Sequence, residues 1–362
     1  MRRLPQILLR PSWPHPVPTT GTFGPLWAGG AALDDARMIR SRPAAGQVVD
    51  QLGYRPDLDG LRAVAVLLVL ITHAHFPWTN NGGDTGVTAF FLLSGYLITR
   101  LLVEEQARTG RVDVIAFYQR RIVRLGPALL LLVSFVAIAS VVVVWPGAWR
   151  LGIASCLLYI SNWVQVLGIQ IDPLGHTWTL AIEEQFYLVW PALFLVLPRR
   201  RLLWLSVAAI VVGSVARTLS DGTFEYFSTI TRGDAILVGC VLALVRVRLP
   251  AWAGAVGVLT LVVATYLTPT HDLAIPVSIV ASGLVVTSEW RPLGVLAPIG
   301  RRAYGIYLWN WPLTILFGPA AALLTFIPAE LSYRLLERPL VQLWRRSQSA
   351  VGTPMILKPP ST

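Results

Sequence analysis

Two ionisable residues, Arg62 and His73, lie eleven positions apart in a run that is otherwise almost entirely apolar. At ~100° and ~1.5 Å per residue, eleven steps of an α-helix place both side chains on one face, roughly 16 Å apart along the axis. Ionisable groups are costly inside a bilayer, so the pair predicts a polar path partway through the membrane. The alternative is that Arg62 extends to the membrane interface and His73 is a satisfied core histidine.

Three arginines form a second group, in which Arg120 and Arg124 share one helical face beside Arg121. Guanidinium groups bind phosphate through paired donors, so the spacing predicts a clamp for the phosphates of a nucleotide-like ligand. The competing interpretation is the ordinary excess of positive charge on the cytoplasmic side of a membrane protein.

Two adjacent carboxylates, Glu183 and Glu184, interrupt a third apolar run. At least one of them has to face the interior of the protein or find a partner. Such a carboxylate is suited to orienting a histidine or binding substrate hydroxyls. Structural pairing with a buried arginine, such as Arg232, competes with that function.

Ser94 and Tyr96 flank Gly95 in another apolar run and offer hydroxyl groups to a substrate. Glycine beside serine lets a ligand or another backbone approach closely. The same pattern is typical of a notch at which two helices pack, so both interpretations stay open.

The composition indicates that membrane-spanning helices must position these residues. Of 362 residues, 54% are hydrophobic and 14% charged, with a mean hydropathy of +0.60, whereas soluble proteins are about one quarter charged. The net charge of +11 falls in short clusters between apolar runs, which indicates membrane orientation rather than nucleic-acid binding. Cys156 and Cys240 are isolated, so no disulfide framework or metal site is predicted.

The predicted fold is therefore an all-α polytopic transmembrane bundle of about ten spans. A further apolar run at 151–168 contains polar residues and is interpreted as a re-entrant or interfacial segment. Counting it as a span would place strong basic clusters outside, against the usual charge asymmetry. Arg62 then lies toward the cytoplasm and His73 toward the outer half. The predicted spans are 58–76, 87–103, 125–145, 178–197, 202–219, 233–248, 251–268, 273–289, 296–317 and 318–338.

The same orientation places both termini in the cytoplasm. Residues 1–50 are rich in Pro, Gly and Arg and are predicted to form a disordered extension. Residues 51–342 form the predicted membrane domain, and residues 343–362 a cytoplasmic tail.

Eight features occur along the chain in order and together contain the residues introduced above. Over roughly residues 52–340 they resemble the acyltransferase 3 family of integral membrane enzymes, which O-acylate sugars of cell-envelope glycans, Nod factors and macrolides. Thr88 stands where many members have Asp, Asn310 stands where most have His, and the stretch from Pro312 to Glu337 is shorter than usual. The features are Asp57–Arg62, the Arg62-to-His73 spacing, Phe90–Leu97, Arg120–Arg124, Thr177–Tyr187, Thr231–Leu237, Tyr307–Pro312 and Ser332–Pro339.

The resemblance implies that an acyl-CoA, with acetyl-CoA expected, is the donor substrate and that no cofactor is tightly bound. Its phosphates would dock on the three clustered arginines, and its thioester would lie near the face shared by Arg62 and His73. His73 would be the general base, since imidazole titrates near working pH. Glu183 or Glu184 would hold the imidazole or the sugar.

On the same resemblance, Ser94 and Tyr96 are candidates for contacting the substrate, and the acceptor is a carbohydrate, a glycolipid or a macrolide. The expected location is the bacterial plasma membrane. Two rivals are a transporter or flippase and a catalytically inactive member of the family. The sequence shows no paired broken helices or inverted repeat of the kind that transporters have.

Overall fold

The computed structural model describes residues 53–75, 81–268 and 270–350, and the regular secondary structure in these ranges is helical throughout. The predicted extension at 1–50 lies outside the described residues. The α-helices are α1 (Pro56–His73), α2 (Gly82–Thr109), α3 (Val114–Ala139), α4 (Trp149–Leu157), α5 (Ser161–Val166), α6 (Trp178–Val196), α7 (Arg199–Leu219), α8 (Gly222–Phe227), α9 (Thr229–Arg232), α10 (Asp234–Val245), α11 (Ala251–Leu267), α12 (His271–Thr287), α13 (Ala297–Gly300), α14 (Ala303–Phe317), α15 (Phe326–Ser332) and α16 (Arg338–Ala350). Single 3₁₀ or π turns lie at Gly175–Thr177, Arg291–Leu296, Pro319–Ala322 and Tyr333–Glu337.

Local sequence explains where the long helices begin and end. Pro56 is the first residue of α1, a position that suits its fixed φ and missing N–H. Helix α2 ends at Gly110, whose φ of 74° is the left-handed conformation that glycine adopts without strain. Asp113 caps α3 by accepting a hydrogen bond from the backbone N–H of Ala116 at 2.9 Å.

Helix α2 is the centre of the bundle. In its most apolar window 78% of residues are buried within the protein, against 28% for α3 and 22% for α7, so the latter two present most of their surface outward. Helices α2 and α10 pack backbone to backbone. A Cβ added to Gly95 would meet the Ile236 carbonyl oxygen at 1.9 Å, and one added to Gly239 would meet the Leu92 carbonyl oxygen at 2.0 Å. Gly95 therefore serves helix packing.

By length and apolar composition, four helical segments among the described residues can cross a membrane on their own, and a bent pair adds a fifth candidate. The protein is thus a multi-pass helical membrane protein, while the count of ten spans and the cytoplasmic location of both termini stay predictions. The four segments are Gly82–Thr109, Val114–Ala139, Gly175–Val196 and Arg199–Leu219; the bent pair is Asp272–Thr287 with Arg291–Gly300, at 99° to each other.

Three apolar runs, two of which were predicted spans, are interrupted. The run at 151–168 is divided between two short helices of nine and six residues. The predicted span 296–317 is split between α13 and α14, and the predicted span 318–338 is wrong as a single helix. Helix α14 ends at Gly318, where φ is 78°, and Pro319 then starts a separate 3₁₀ turn. Glycine and proline therefore break the apolar pattern that predicted continuous helices.

Candidate active site

Arg121 is bound to the paired glutamates of α6. Its Nε donates to Glu184 Oε1 at 2.6 Å, and its Nη2 lies 3.9 Å from Glu183 Oε2. The guanidinium also lies 3.4 Å from the centre of the Tyr187 ring. Since each of the three charged side chains is only about one fifth exposed, the ion pair offsets the cost of placing two carboxylates within the bundle.

The structure rejects the alternative in which Arg232 pairs with those glutamates. Arg232 instead lies 3.2 Å from Asp84, and both residues are buried. Its guanidinium is also 5.4 Å from the rings of Trp178 and Tyr226. The partners of the buried arginine and of the glutamates could not be assigned from sequence because several carboxylates enter apolar runs.

The remaining arginines of the predicted donor site differ in their partners. Arg120 lies 3.6 Å from Glu105 Oε2, and Arg62 is hydrogen-bonded to Asp59. Arg124 is exposed. Among the described residues no carboxylate lies within ion-pair distance of it, and Asp59 and Glu337 act on it from further away. Arg124 therefore differs from Arg62, Arg120 and Arg121, each of which has a carboxylate partner.

The two predicted hydroxyl groups have separate environments. Ser94 lies beside Glu183, which places its hydroxyl with the glutamates and Arg121. Tyr96 is 6% exposed, and it lies near Arg100 and Arg55. Ser94 therefore joins the polar group at this end of the bundle, whereas Tyr96 lies outside it.

His73 is the last residue of α1, and its partner comes from α14. Nδ1 of His73 is in hydrogen-bonding contact with Oδ1 of Asn310, and the His73 ring lies 4.8 Å from that of Trp311 at an angle of 53°. In this orientation of the amide, its oxygen accepts a hydrogen bond from Nδ1–H, and Nε2 is the nitrogen with the lone pair. Nδ2 of Asn310 is buried without a hydrogen-bond partner among the described residues. The imidazole is therefore held by Asn310 and by neither Glu183 nor Glu184.

A second histidine, His176, lies in the 3₁₀ turn that leads into α6. Its Nε2 donates to the Leu308 carbonyl oxygen at 3.1 Å, and its ring is 5.4 Å from that of Tyr307. The Tyr307 hydroxyl donates to the His176 carbonyl oxygen at 2.6 Å. Nδ1 of His176 is buried and has no hydrogen-bond partner among the described residues. The His176 ring therefore has an unused acceptor, and it contacts the same part of α14 that contacts His73.

Neither Asn310 nor His176 was among the site residues predicted from sequence. Asn310 was noted only because the family resemblance implies histidine at its position, and His176 directly precedes the segment Thr177–Tyr187 that carries the glutamates. The signal in the sequence was that Asn310 is a polar residue within an aromatic segment and that His176 is a polar residue shortly before the two glutamates. That signal does not show which of them face each other.

Apolar helices that enclose arginines, carboxylates and histidines define an integral membrane protein with a polar interior, the arrangement found where such proteins act on a substrate. The sequence model of the acyltransferase domain matches residues 55–336. The chain therefore belongs to the acyltransferase 3 family, as the motifs indicated.

Relatives from three bacteria carry names that specify a reaction. The chain is 30% identical to O-acetyltransferase OatA of Staphylococcus aureus over 351 residues, which cover 79% of this chain and 57% of the relative. It is 33% identical to putative peptidoglycan O-acetyltransferase YrhL of Bacillus subtilis, with 79% and 55% covered. For peptidoglycan O-acetyltransferase OatA of Listeria monocytogenes the identity is 31%, with 79% and 56% covered. The chain spans little more than half the length of these relatives, and no solved structure matches it.

Proposed function

We propose that the protein is an O-acyltransferase of the bacterial plasma membrane that moves an acetyl group from acetyl-CoA to a carbohydrate hydroxyl. Membership of the acyltransferase 3 family supports the reaction class. The relatives named as peptidoglycan O-acetyltransferases support acetyl as the acyl group and a glycan as the acceptor.

The observation that carries the proposal is the contact between His73 and Asn310. With Nδ1–H donating to the amide oxygen, Nε2 is the nitrogen with the lone pair, which is the form required of a general base. His73 Nε2 removes the proton from the acceptor hydroxyl as its oxygen bonds to the thioester carbonyl carbon. When the carbon–sulfur bond breaks, the leaving CoA thiolate takes that proton from the imidazolium, and the O-acetyl ester and free CoA result.

The polar interior has arginines at one end and His73 at the other, and the donor has phosphates at one end and a thioester at the other. Arg62, near Arg124 and the glutamates, is roughly 16 Å along α1 from His73. The pantetheine arm of acetyl-CoA separates its phosphates from its thioester in the same manner. Arg124 would bind phosphate, and the thioester would reach His73. The ion pair of Arg121 with Glu184 would hold α3 and α6 together between the phosphate site and His73.

The test is transfer of labelled acetyl groups by the purified protein in liposomes. Protein with His73 intact should release CoA from radiolabelled acetyl-CoA and acetylate an added glycan, and His73→Ala should abolish both reactions with normal membrane insertion. His75→Ala is the matched control, because His75 is exposed just beyond the end of α1. Undiminished turnover by His73→Ala removes His73 from the mechanism. Absence of CoA release by the unaltered protein would instead favour a transporter or an inactive family member.

A further inference from the structure

Trp311 and Asp172 form a pair beside His73 that the proposed mechanism leaves unused. The Trp311 ring is next to that of His73, at 4.8 Å between ring centres. The indole Nε1–H of Trp311 donates to Asp172 Oδ1 at 2.7 Å. All three side chains are partly exposed, so they border a surface that a ligand can reach.

Among the described residues Asp172 has no cation within ion-pair distance, unlike Asp84 and Asp234. Asp84 is paired with Arg232 at 3.2 Å, and Asp234 is paired with Arg217 at 2.6 Å. In the part of the chain that the structure describes, Asp172 receives only the indole hydrogen bond, which occupies one of its two oxygens. A half-buried carboxylate of this kind needs hydrogen-bond donors from outside the protein.

The pair lies at the end of the bundle opposite the arginines. Arg120 to Arg124 lie in the first turns of α3, and the segment after the last turn of α3 contacts the loop that carries Asp172. This contact is a backbone hydrogen bond from Ala148 N–H to the Gln170 carbonyl oxygen, at 2.8 Å. A ligand held by Asp172 and Trp311 would therefore approach His73 from the side away from the donor phosphates.

We propose that Trp311 and Asp172 are an acceptor subsite for a carbohydrate ring whose reacting hydroxyl lies at His73 Nε2. The indole offers an apolar surface to the C–H face of a sugar, and a carboxylate accepts hydrogen bonds from neighbouring sugar hydroxyls. The pairing of one aromatic surface with one fixed polar group selects a polyhydroxylated ring over a purely apolar ligand. The position of the reacting hydroxyl rests on the function proposed above, whereas sugar binding by the pair does not.

Equilibrium binding of chitotetraose, a soluble tetramer of N-acetylglucosamine, to the detergent-solubilised protein tests the subsite directly. Asp172→Asn keeps an acceptor for the indole N–H and removes the charge, and it should weaken binding about tenfold or more. Trp311→Phe keeps an aromatic ring beside His73 but releases the carboxylate from its hydrogen bond, and it should also weaken binding. The apparent KM for acetyl-CoA should be unchanged in both variants.

Matched controls are Asp221→Asn and Trp163→Phe, which change an exposed aspartate and an exposed tryptophan outside the site. Both should bind chitotetraose as the unaltered protein does. The subsite is overturned if the unaltered protein does not bind the sugar, or if Asp172→Asn and Trp311→Phe bind it within twofold of the unaltered protein. Sugar binding that depends on Asp172, without acetyl transfer from acetyl-CoA, would contradict the proposed reaction while upholding the subsite.

Discussion

His73 and Asn310 are 237 positions apart in the chain, and Nδ1 of the imidazole meets Oδ1 of the amide. The amide orients the ring and fixes its tautomer as a carboxylate would, but it brings no negative charge to the imidazolium that forms during proton transfer. The family resemblance implies a histidine at the position of Asn310, whereas here the partner is a neutral amide that does not itself titrate.

Changing Asn310 should therefore alter the pH dependence of the reaction. Asn310→Asp places a negative charge beside His73 and favours the protonated imidazole, so the acid limb of the pH profile of kcat/KM should move to higher pH, by about one unit or more. Asn310→Leu removes the tautomer preference and should lower kcat by about 10²- to 10⁴-fold with little effect on the KM for acetyl-CoA. A purely structural role for Asn310 predicts lower abundance in both variants, with the pH profile of the folded fraction unchanged.

Arg124 should contribute more to donor binding than the other two arginines of its cluster. It is exposed and unpaired within the described ranges, whereas Arg120 and Arg121 already face carboxylates. Arg124→Gln should raise the KM for acetyl-CoA about 10- to 100-fold, the value of a charge-assisted bond to phosphate, and leave the acceptor KM unchanged. Arg200→Gln, on an exposed arginine at the start of α7, is the control for general loss of positive charge. An unchanged donor KM in Arg124→Gln would exclude the phosphate contact.

Arg121 should contribute mainly to the stability of the folded protein rather than to the reaction. Arg121→Gln leaves Glu183 and Glu184 without their cation, at a cost of about 3 to 5 kcal/mol for a broken buried pair. The expected result is a lower midpoint of thermal unfolding in detergent and less protein in the membrane. Adding Glu184→Gln to that variant should recover much of the loss, because the uncompensated charge is removed. Additive losses in the double variant would show that the two side chains are not energetically coupled.

Sequence reasoning predicted the elements that carry the site better than the partners within it. Periodicity located α1 and placed Arg62 and His73 on one of its faces, because both residues belong to one helix and helical geometry is local. The partner of His73 comes from α14, and the partner of Glu184 comes from α3. Which of several helices pack together is decided by contacts such as those at Gly95 and Gly239, and the polar pairs follow from that packing.

The polar motifs were recognisable from the sequence, whereas the points at which long apolar runs divide into separate helices were not. The composition of 318–338 satisfies the hydropathy requirement for a span, yet Gly318 and Pro319 begin a succession of short turns there. Hydropathy measures transfer to lipid and does not detect where the backbone must turn inside the protein. The span count and the orientation accordingly need their own experiment.

Cysteine labelling in intact cells tests the orientation through α7. This helix has 21 residues, about 31 Å at ~1.5 Å per residue, so its ends should lie on opposite sides of the membrane if it spans. Arg199 at its start donates to Gln106 Oε1 at 3.3 Å, which joins that end of α7 to the last turn of α2, next to the loop that leads to α3. Cysteines at Arg111 and Arg200 should thus be labelled only after permeabilisation, and one at Asp221 should be labelled from outside. Cys156 and Cys240 are buried, so the background should be low. Labelling of Arg200→Cys from outside in intact cells would reverse the orientation and place the donor arginines away from cytoplasmic acetyl-CoA.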